Sequence, residues 1–401
     1  MDRLARLVLV EAGGRPLGVL PAFAVGVPWW QEVADVVAGA RAHFGVDVAV
    51  LRLLAADRPA MPGGTVTYVA ETADPLPAAA TTLAAAGVDP LAVTAKQPHR
   101  AAYAEPGGPG RSLAWARDQL GRRGWTDVTA GQHRTWNLSA IWQLDGRGDR
   151  AWLKQVPPFF RHEGAVLRWL NAACPGRAPE LLAEGDDGRL LMADVPGVDW
   201  YDADSRGRHR VAVIAHELQL TARRHLDALA AAGVPDRRGH RLADWIRATL
   251  APHTPGVDDV VPDLDDRVAA AAAGGLPDTL VHGDLHPGNT RVDGDADPVV
   301  IDWGDSFLGS PVFDILRLCE NADDAEGLEE AWSRRWREAV PGSDPDRAIA
   351  ALRPVAALRS AAVYAEFLAN IEPSEHPYHA ADVPRCLGEA RAAAAGHTVG
   401  A

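Results

Sequence analysis

The stretch LVHGDLHPGNTRVDGDADPVVIDWGD, residues 280–305, constrains this chain more than any other. It sets Asp284 five positions before Asn289, then gives a turn-rich run, the apolar strand Val299 to Ile301, and Asp302-Trp303-Gly304. A polar loop that runs into a hairpin, with oxygen-bearing side chains at both ends, can gather hard ligands for a divalent cation and keep a carboxylate beside them. Asp and Asn residues also cap turns where no chemistry occurs, and Asp293, Asp295 and Asp297 read as turn residues of that kind. His282 and His286 stand four apart, as zinc-binding histidines do on a helix. Gly283 and Pro287 oppose a helix and no Glu follows His282, so catalytic zinc does not fit.

Phosphoryl transfer has matching needs: a carboxylate that orients the attacking hydroxyl, and oxygen ligands that hold Mg²⁺ against a triphosphate. Asp284 supplies the first, and Asn289 with Asp302 the second, in the order of a kinase catalytic loop and the metal-binding hairpin that follows it. A further signal lies upstream. Of 40 basic residues only two are lysines, Lys96 and Lys154. Lys154 sits in the apolar strand AWLKQV, where a compact ammonium reaches phosphates while its stem stays buried, a role a forked guanidinium fills poorly. Glu163, early in the next helix, is its candidate partner. Alone, Lys154 also reads as an edge-strand charge and Glu163 as a favourable charge at a helix N-terminus.

The chain has 401 residues, which predicts two or three domains. Residues 1–105 alternate strand-like and helix-like patterns and form a small N-terminal α/β domain that ends at the turn-rich EPGGPG. Residues 111–195 carry a helix and then the runs SAIWQL and RAWLKQV, joined by the hairpin residues Asp145-Gly146-Arg147-Gly148. Residues 196–401 are mainly helical. Every catalytic candidate lies beyond Arg111, so the rest of the chain is expected to fold without residues 1–105.

A net charge of −14 opposes a general nucleic-acid or anionic-membrane surface. Cys174, Cys319 and Cys386 are odd in number and scattered, which predicts a reducing cytoplasm and no disulfide framework. The apolar stretch Leu17 to Trp30 is too short for a membrane span and is interrupted by Pro21 and Pro28.

Residues 125–318 resemble the aminoglycoside phosphotransferase family, within the protein-kinase-like fold. HGDLHPGN from His282 to Asn289 matches that family's catalytic motif, VIDWGD from Val300 to Asp305 its second metal motif, and GSPVFDILRL from Gly309 to Leu318 its following segment. The resemblance implies Asp284 as the catalytic aspartate, Asn289 and Asp302 as Mg²⁺ ligands, and Lys154 with Glu163 as the phosphate-positioning pair. It also implies Asp314 as a brace of the catalytic loop and a hinge at Met192 to Gly197, where Met192, Asp194 and Val195 would meet the adenine. GQHRTWNL, residues 131–138, departs from the glycine-rich phosphate cover of protein kinases; its amides, Asn137 or Ser139 would contact the nucleotide instead. The run ARAHFGVDVAVLRLL resembles a Nudix hydrolase faintly, with Ala42 and His43 where a metal-binding Glu pair belongs, so the domain would be degenerate.

The expected fold is α+β: a two-lobed protein-kinase-like fold, with a small antiparallel β lobe and a mainly helical lobe, plus the extra N-terminal α/β domain. The expected activity is Mg²⁺-dependent transfer of the γ-phosphate of ATP, or of GTP, to a small-molecule hydroxyl, with an aminoglycoside or other cationic antibiotic as one acceptor class. Two alternatives stay open from the sequence: a nucleotide-binding pseudokinase, and a metabolic kinase of sugars, choline-like alcohols or amino alcohols. A homodimer built on residues 1–105 is one further arrangement; nucleic-acid and membrane partners are not expected.

Overall fold

In a computed structural model that describes residues 2–396, the chain divides into two compact units. The last five positions of the C-terminal segment lie outside the described residues. The first unit contains residues 1–161, 182–194 and 367–381; the second contains 162–181, 195–366 and 382–401.

The first unit holds two sheets. Strands β1 (Arg3–Val10), β2 (Pro16–Val25), β3 (Ala49–Ala56) and β4 (Gly64–Glu71) lie in the order β2-β1-β4-β3. β1 pairs antiparallel with β2 and parallel with β4, which requires a crossover, and the helix Ala34–Phe44 lies on it. Being central, β1 is buried on both faces, Ala5, Leu7 and Leu9 on one and Val8 and Val10 on the other, and so reads as a near-continuous apolar run.

The second sheet consists of β5 (Thr129–Trp136), β6 (Ser139–Asp145), β7 (Arg150–Gln155), β8 (Leu181–Gly185) and β9 (Arg189–Ala193), in the order β5-β6-β7-β9-β8. β6 and β7 pair antiparallel through the hairpin expected from Asp145 to Gly148, closed by Gly146 N–H to the Asp149 carbonyl at 3.0 Å. Trp142, Leu144, Leu153 and Leu191 pack against Ala116 and Leu120 of the helix Gly108–Gly121. Lys154, opposite Ile141 and Leu190, faces the other way. β7 is an interior strand, so the edge-charge reading of Lys154 falls away.

Buried charges stitch the N-terminal sheet to a segment from the far end of the chain. Glu372 accepts from Arg100, with its closest contact at 2.7 Å, and pairs with Arg52 at 3.3 Å; all three side chains are under 5% exposed. Glu375 accepts from the Leu53 amide at 3.3 Å, and His379 bonds Asn137 at 2.9 Å. Gln132 of β5 bonds both the amide and the carbonyl of Val50 in β3. Removing residues 1–105 would strip Glu372 of both arginines, so the truncated chain should lose stability rather than fold independently. Breaking a buried pair from one side costs roughly 3–5 kcal/mol.

Burial, and then the Glu372 carboxylate beside it, push the Glu375 carboxyl up from 4.5 to about 8. The folded chain therefore keeps a proton there that the unfolded chain releases above pH 4.5. This contribution to stability is complete below pH 4.5 and declines as pH rises to about 8. Glu375→Gln, which mimics the neutral form, should flatten the pH dependence of the urea midpoint across that window; an unchanged slope would mean Glu375 is ionised in the fold.

The second unit is mainly helical. Its short strands are β10 (Val198–Asp199), β11 (Thr279–Val281), β12 (Thr290–Val292), β13 (Val299–Val300) and β14 (Phe307–Gly309), arranged as β10-β12-β13 and β11-β14. The helices Ser205–Ala222 and Val312–Cys319 supply Gln219 and Asp314 to the loop between β11 and β12. The helix Pro345–Asn370 is long and apolar enough to cross a membrane, yet 56% of that apolar stretch is buried in the structure, the pattern of a core helix.

Candidate active site

The loop at residues 282–289 is held by groups beneath it. Asp314, 3% exposed, accepts from the amides of His282 and Gly283 at 3.0 Å each and from Gln219 Nε2 at 2.9 Å. Burial pushes the Asp314 carboxyl up, and these hydrogen bonds oppose the rise. It is thus the loop brace that the resemblance implied. Gly283 has φ +86°, and a Cβ there would stand 2.2 Å from the Asp305 carbonyl, so only glycine fits.

His282 is fully engaged. Its Nδ1 accepts from the Asp284 amide at 3.2 Å, which assigns the proton to Nε2, 2.9 Å from the Ile301 carbonyl. The Nδ1 of His286 accepts from the Gly288 amide at 3.1 Å, while its Nε2 lies 3.5 Å from Asp284 Oδ2. Both histidines therefore act within the loop.

Asp284 and Asn289 meet in this loop, and Asp302 follows the β12–β13 hairpin that the loop opens. Asn289 Nδ2 donates to the Asp284 carbonyl at 3.0 Å and to its Oδ2 at 3.1 Å, leaving Asn289 Oδ1 as the acceptor of that side chain. The Ile301 amide donates to the Asn289 carbonyl at 2.9 Å, which sets Asp302 one residue from that bond. Asp302 is exposed and left-handed, with φ 63° and ψ 66°. Strain of this kind at a non-glycine residue is concentrated at functional sites. Two neutral or anionic oxygens at one hairpin end fit Mg²⁺, which takes few protein ligands and leaves the rest of its shell to phosphates and water.

Arg317 was not singled out by the sequence. Its Nε donates to Asp284 Oδ1 at 2.7 Å, and its Nη1 to Glu320 at 2.5 Å. Burial works to raise the Asp284 pKa, but the His286 hydrogen bond and the Arg317 charge outweigh it and hold the carboxyl well below the usual carboxylate range. The available signal was helical spacing: Arg317 follows Asp314 by three residues and shares its face. Arg317→Ala should lower kcat about tenfold by freeing the Asp284 carboxylate, with Arg317→Lys in between. Unchanged steady-state kcat in both variants would show that the pair does not position Asp284.

The remaining sequence candidates lie on other elements. Lys154, on β7, is 6% exposed in the first unit; Glu163, in the first turn of the helix His162–Ala173, is 1% exposed in the second. Ser139 opens β6 and is buried; its hydroxyl accepts from Trp136 Nε1 at 3.2 Å and keeps its own proton to donate. Met192 lies in β9 opposite Trp152, and Asp194 accepts from the Trp152 indole at 2.6 Å. The Val195 carbonyl accepts from Arg291 Nε at 2.8 Å within the second unit. The segment GQHRTWNL supplies most of β5.

The sequence profile of the phosphotransferase enzyme family matches residues 144–354, just over half of the chain. No curated protein sequence matches the chain. Among solved structures, a candidate aminoglycoside phosphotransferase from Ralstonia eutropha superposes with a TM-score of 0.51 at 15% identity, over 72% of this chain and 98% of that one. A macrolide 2'-phosphotransferase from Brachybacterium faecium gives 0.49 at 18% identity, over 70% and 97%. A choline/ethanolamine kinase family protein from Mesorhizobium loti gives 0.48 at 17% identity, over 71% and 99%. The fold is protein-kinase-like, an α+β architecture with an added N-terminal sheet. The matched stretch contains the Lys154 strand, the 282–289 loop and the Asp302 hairpin, and the chain belongs to the phosphotransferase enzyme family.

Proposed function

We propose that the protein transfers the γ-phosphate of a nucleoside triphosphate, with Mg²⁺, to a hydroxyl of a small molecule. One observation carries this reading: Asp284, Asn289 and Asp302 share one loop and hairpin, with the amide of Asn289 bonded to the Asp284 carboxylate at 3.1 Å. When bound, Mg²⁺ and the triphosphate supply the transferable phosphoryl group and neutralise its developing charge. Asn289 Oδ1 and the Asp302 carboxylate are the oxygens that would hold the metal. Asp284, fixed by Arg317 on Oδ1, presents Oδ2 to the acceptor hydroxyl, orients it for in-line attack and receives its proton.

Lys154 is assigned to the α- and β-phosphates and Glu163 to positioning it, while the backbone around Met192, Asp194 and Val195 is assigned to the base. Support for Lys154 comes from its interior strand and from a chain that writes nearly every other cation as arginine. The three cysteines are free thiols and suit a reducing compartment, which we take to be the cytoplasm. Titration with a fluorescent ATP analogue at varied Mg²⁺ tests the metal assignment. Asn289→Ala and Asp302→Ala should each raise the Mg²⁺ midpoint about tenfold or more. Wild-type midpoints in both would move the metal elsewhere.

A further inference from the structure

We infer that Tyr201 is the acceptor-binding platform of this site, and that it selects an acceptor whose hydroxyl sits on a saturated ring with a flat C–H face. The inference rests on the phosphotransfer reading above and concerns a residue which that reading does not use.

Tyr201 lies in the turn between β10 and the helix Ser205–Ala222, and it is 63% exposed, which is unusual for a large aromatic side chain. Its backbone is not free to move. β10 pairs with β12, Val198 opposite Val292 and Asp199 opposite Arg291, and the Trp200 amide donates to the Thr290 carbonyl at 3.1 Å. β12 begins at the residue after Asn289, so the turn is registered against the catalytic loop itself.

The ring is pinned as well. A Cβ on Gly288 would stand 2.3 Å from Tyr201 Cε1 and 2.6 Å from Cδ1, so the phenol edge rests on the loop backbone with no room for a methyl group. The Tyr201 and His286 ring centroids are 6.3 Å apart, and His286 Nε2 is 3.5 Å from Asp284 Oδ2. Arg317, Asp284, His286 and Tyr201 therefore form one continuous wall. Trp200, the neighbouring aromatic, is turned instead against Gly207 and under Arg210, where it packs the helix.

An exposed ring held this firmly has already lost its conformational freedom, so stacking a ligand on it costs little further ordering. Its flat apolar face matches the C–H face of a saturated ring better than a short flexible chain, which touches less of it. A ring stacked there would have its hydroxyls directed along the wall toward Asp284. Asp202, also exposed in this turn, would answer an amino substituent on such a ring.

The test uses the full-length protein with MgATP and four acceptors, kanamycin A and D-glucose as rings and choline and ethanolamine as chains. Acceptor-independent ATP hydrolysis is followed in parallel. At least one ring acceptor should have a kcat/KM about tenfold or more above both chains. Tyr201→Ala should raise its KM about tenfold with kcat and the KM for ATP little changed, and Tyr201→Phe should keep wild-type values. A preference for choline or ethanolamine, a Tyr201→Ala variant with wild-type acceptor KM, or a rise in the KM for ATP instead would each overturn the proposal. ATP hydrolysis with no transfer to either ring would overturn it too while sparing the phosphotransfer reading; absence of both hydrolysis and transfer would count against that reading itself.

Discussion

Asp284→Asn should lower phosphoryl transfer on the order of 10³-fold. The substitution is nearly isosteric, so the fold around the loop has no reason to change. What changes is the donor pattern. Asp284 accepts from Arg317 on Oδ1 and from Asn289 on Oδ2, and an asparagine must set its NH₂ against one of these two donors. The charged arginine should keep the amide oxygen, which leaves nothing anionic to take the acceptor proton. Asn289 retains its 3.0 Å bond to the residue-284 carbonyl, so nucleotide binding should stay within about threefold of wild type. Stopped-assay kcat and nucleotide titration on the same preparation check both halves. Full turnover by Asp284→Asn would refute its assignment.

Lys154→Arg should cost about 10²-fold in kcat. Lys154 is 6% exposed on the interior strand β7, between Ile141 of β6 and Leu190 of β9. A guanidinium keeps the charge but is planar and longer, and a tightly lined site would move it, with any phosphate it holds, by on the order of 1 Å. Glu163→Gln should show a milder loss, through weaker positioning of the lysine. Near wild-type turnover by Lys154→Arg would show that charge alone is required there.

The parts of this protein that were legible in its sequence are those whose signals are local. The Asp284 to Asn289 spacing, the hairpin residues at 145–148 and the apolar runs of β1 and β7 each declare themselves within about ten residues, because turn chemistry and strand period act at that range. The brace at Asp314 was legible through family resemblance, and its partners followed from the fold. Contacts distant in sequence were not legible. Glu375 meets Leu53 across 322 positions, and nothing in either neighbourhood marks the other. The pairing of Arg52 and Arg100 with Glu372 was hidden for the same reason. Arg317 was missed differently: its spacing from Asp314 was visible, but among so many arginines a single one carries no signal until its 2.7 Å bond to Asp284 is seen. GQHRTWNL pairs with β6 as β5, a placement that its mixed polar and aromatic residues do not settle alone.

The proposed transfer of phosphate from a nucleoside triphosphate to a small-molecule hydroxyl can be followed by ³¹P NMR of the full-length wild-type protein with MgATP and a panel of hydroxyl acceptors. A new phosphomonoester resonance should grow with the loss of the ATP γ-phosphate, require Mg²⁺, and be absent with Asp284→Asn. An unchanged ATP spectrum across the whole panel, or a phosphomonoester formed equally by the Asp284→Asn variant, would contradict it.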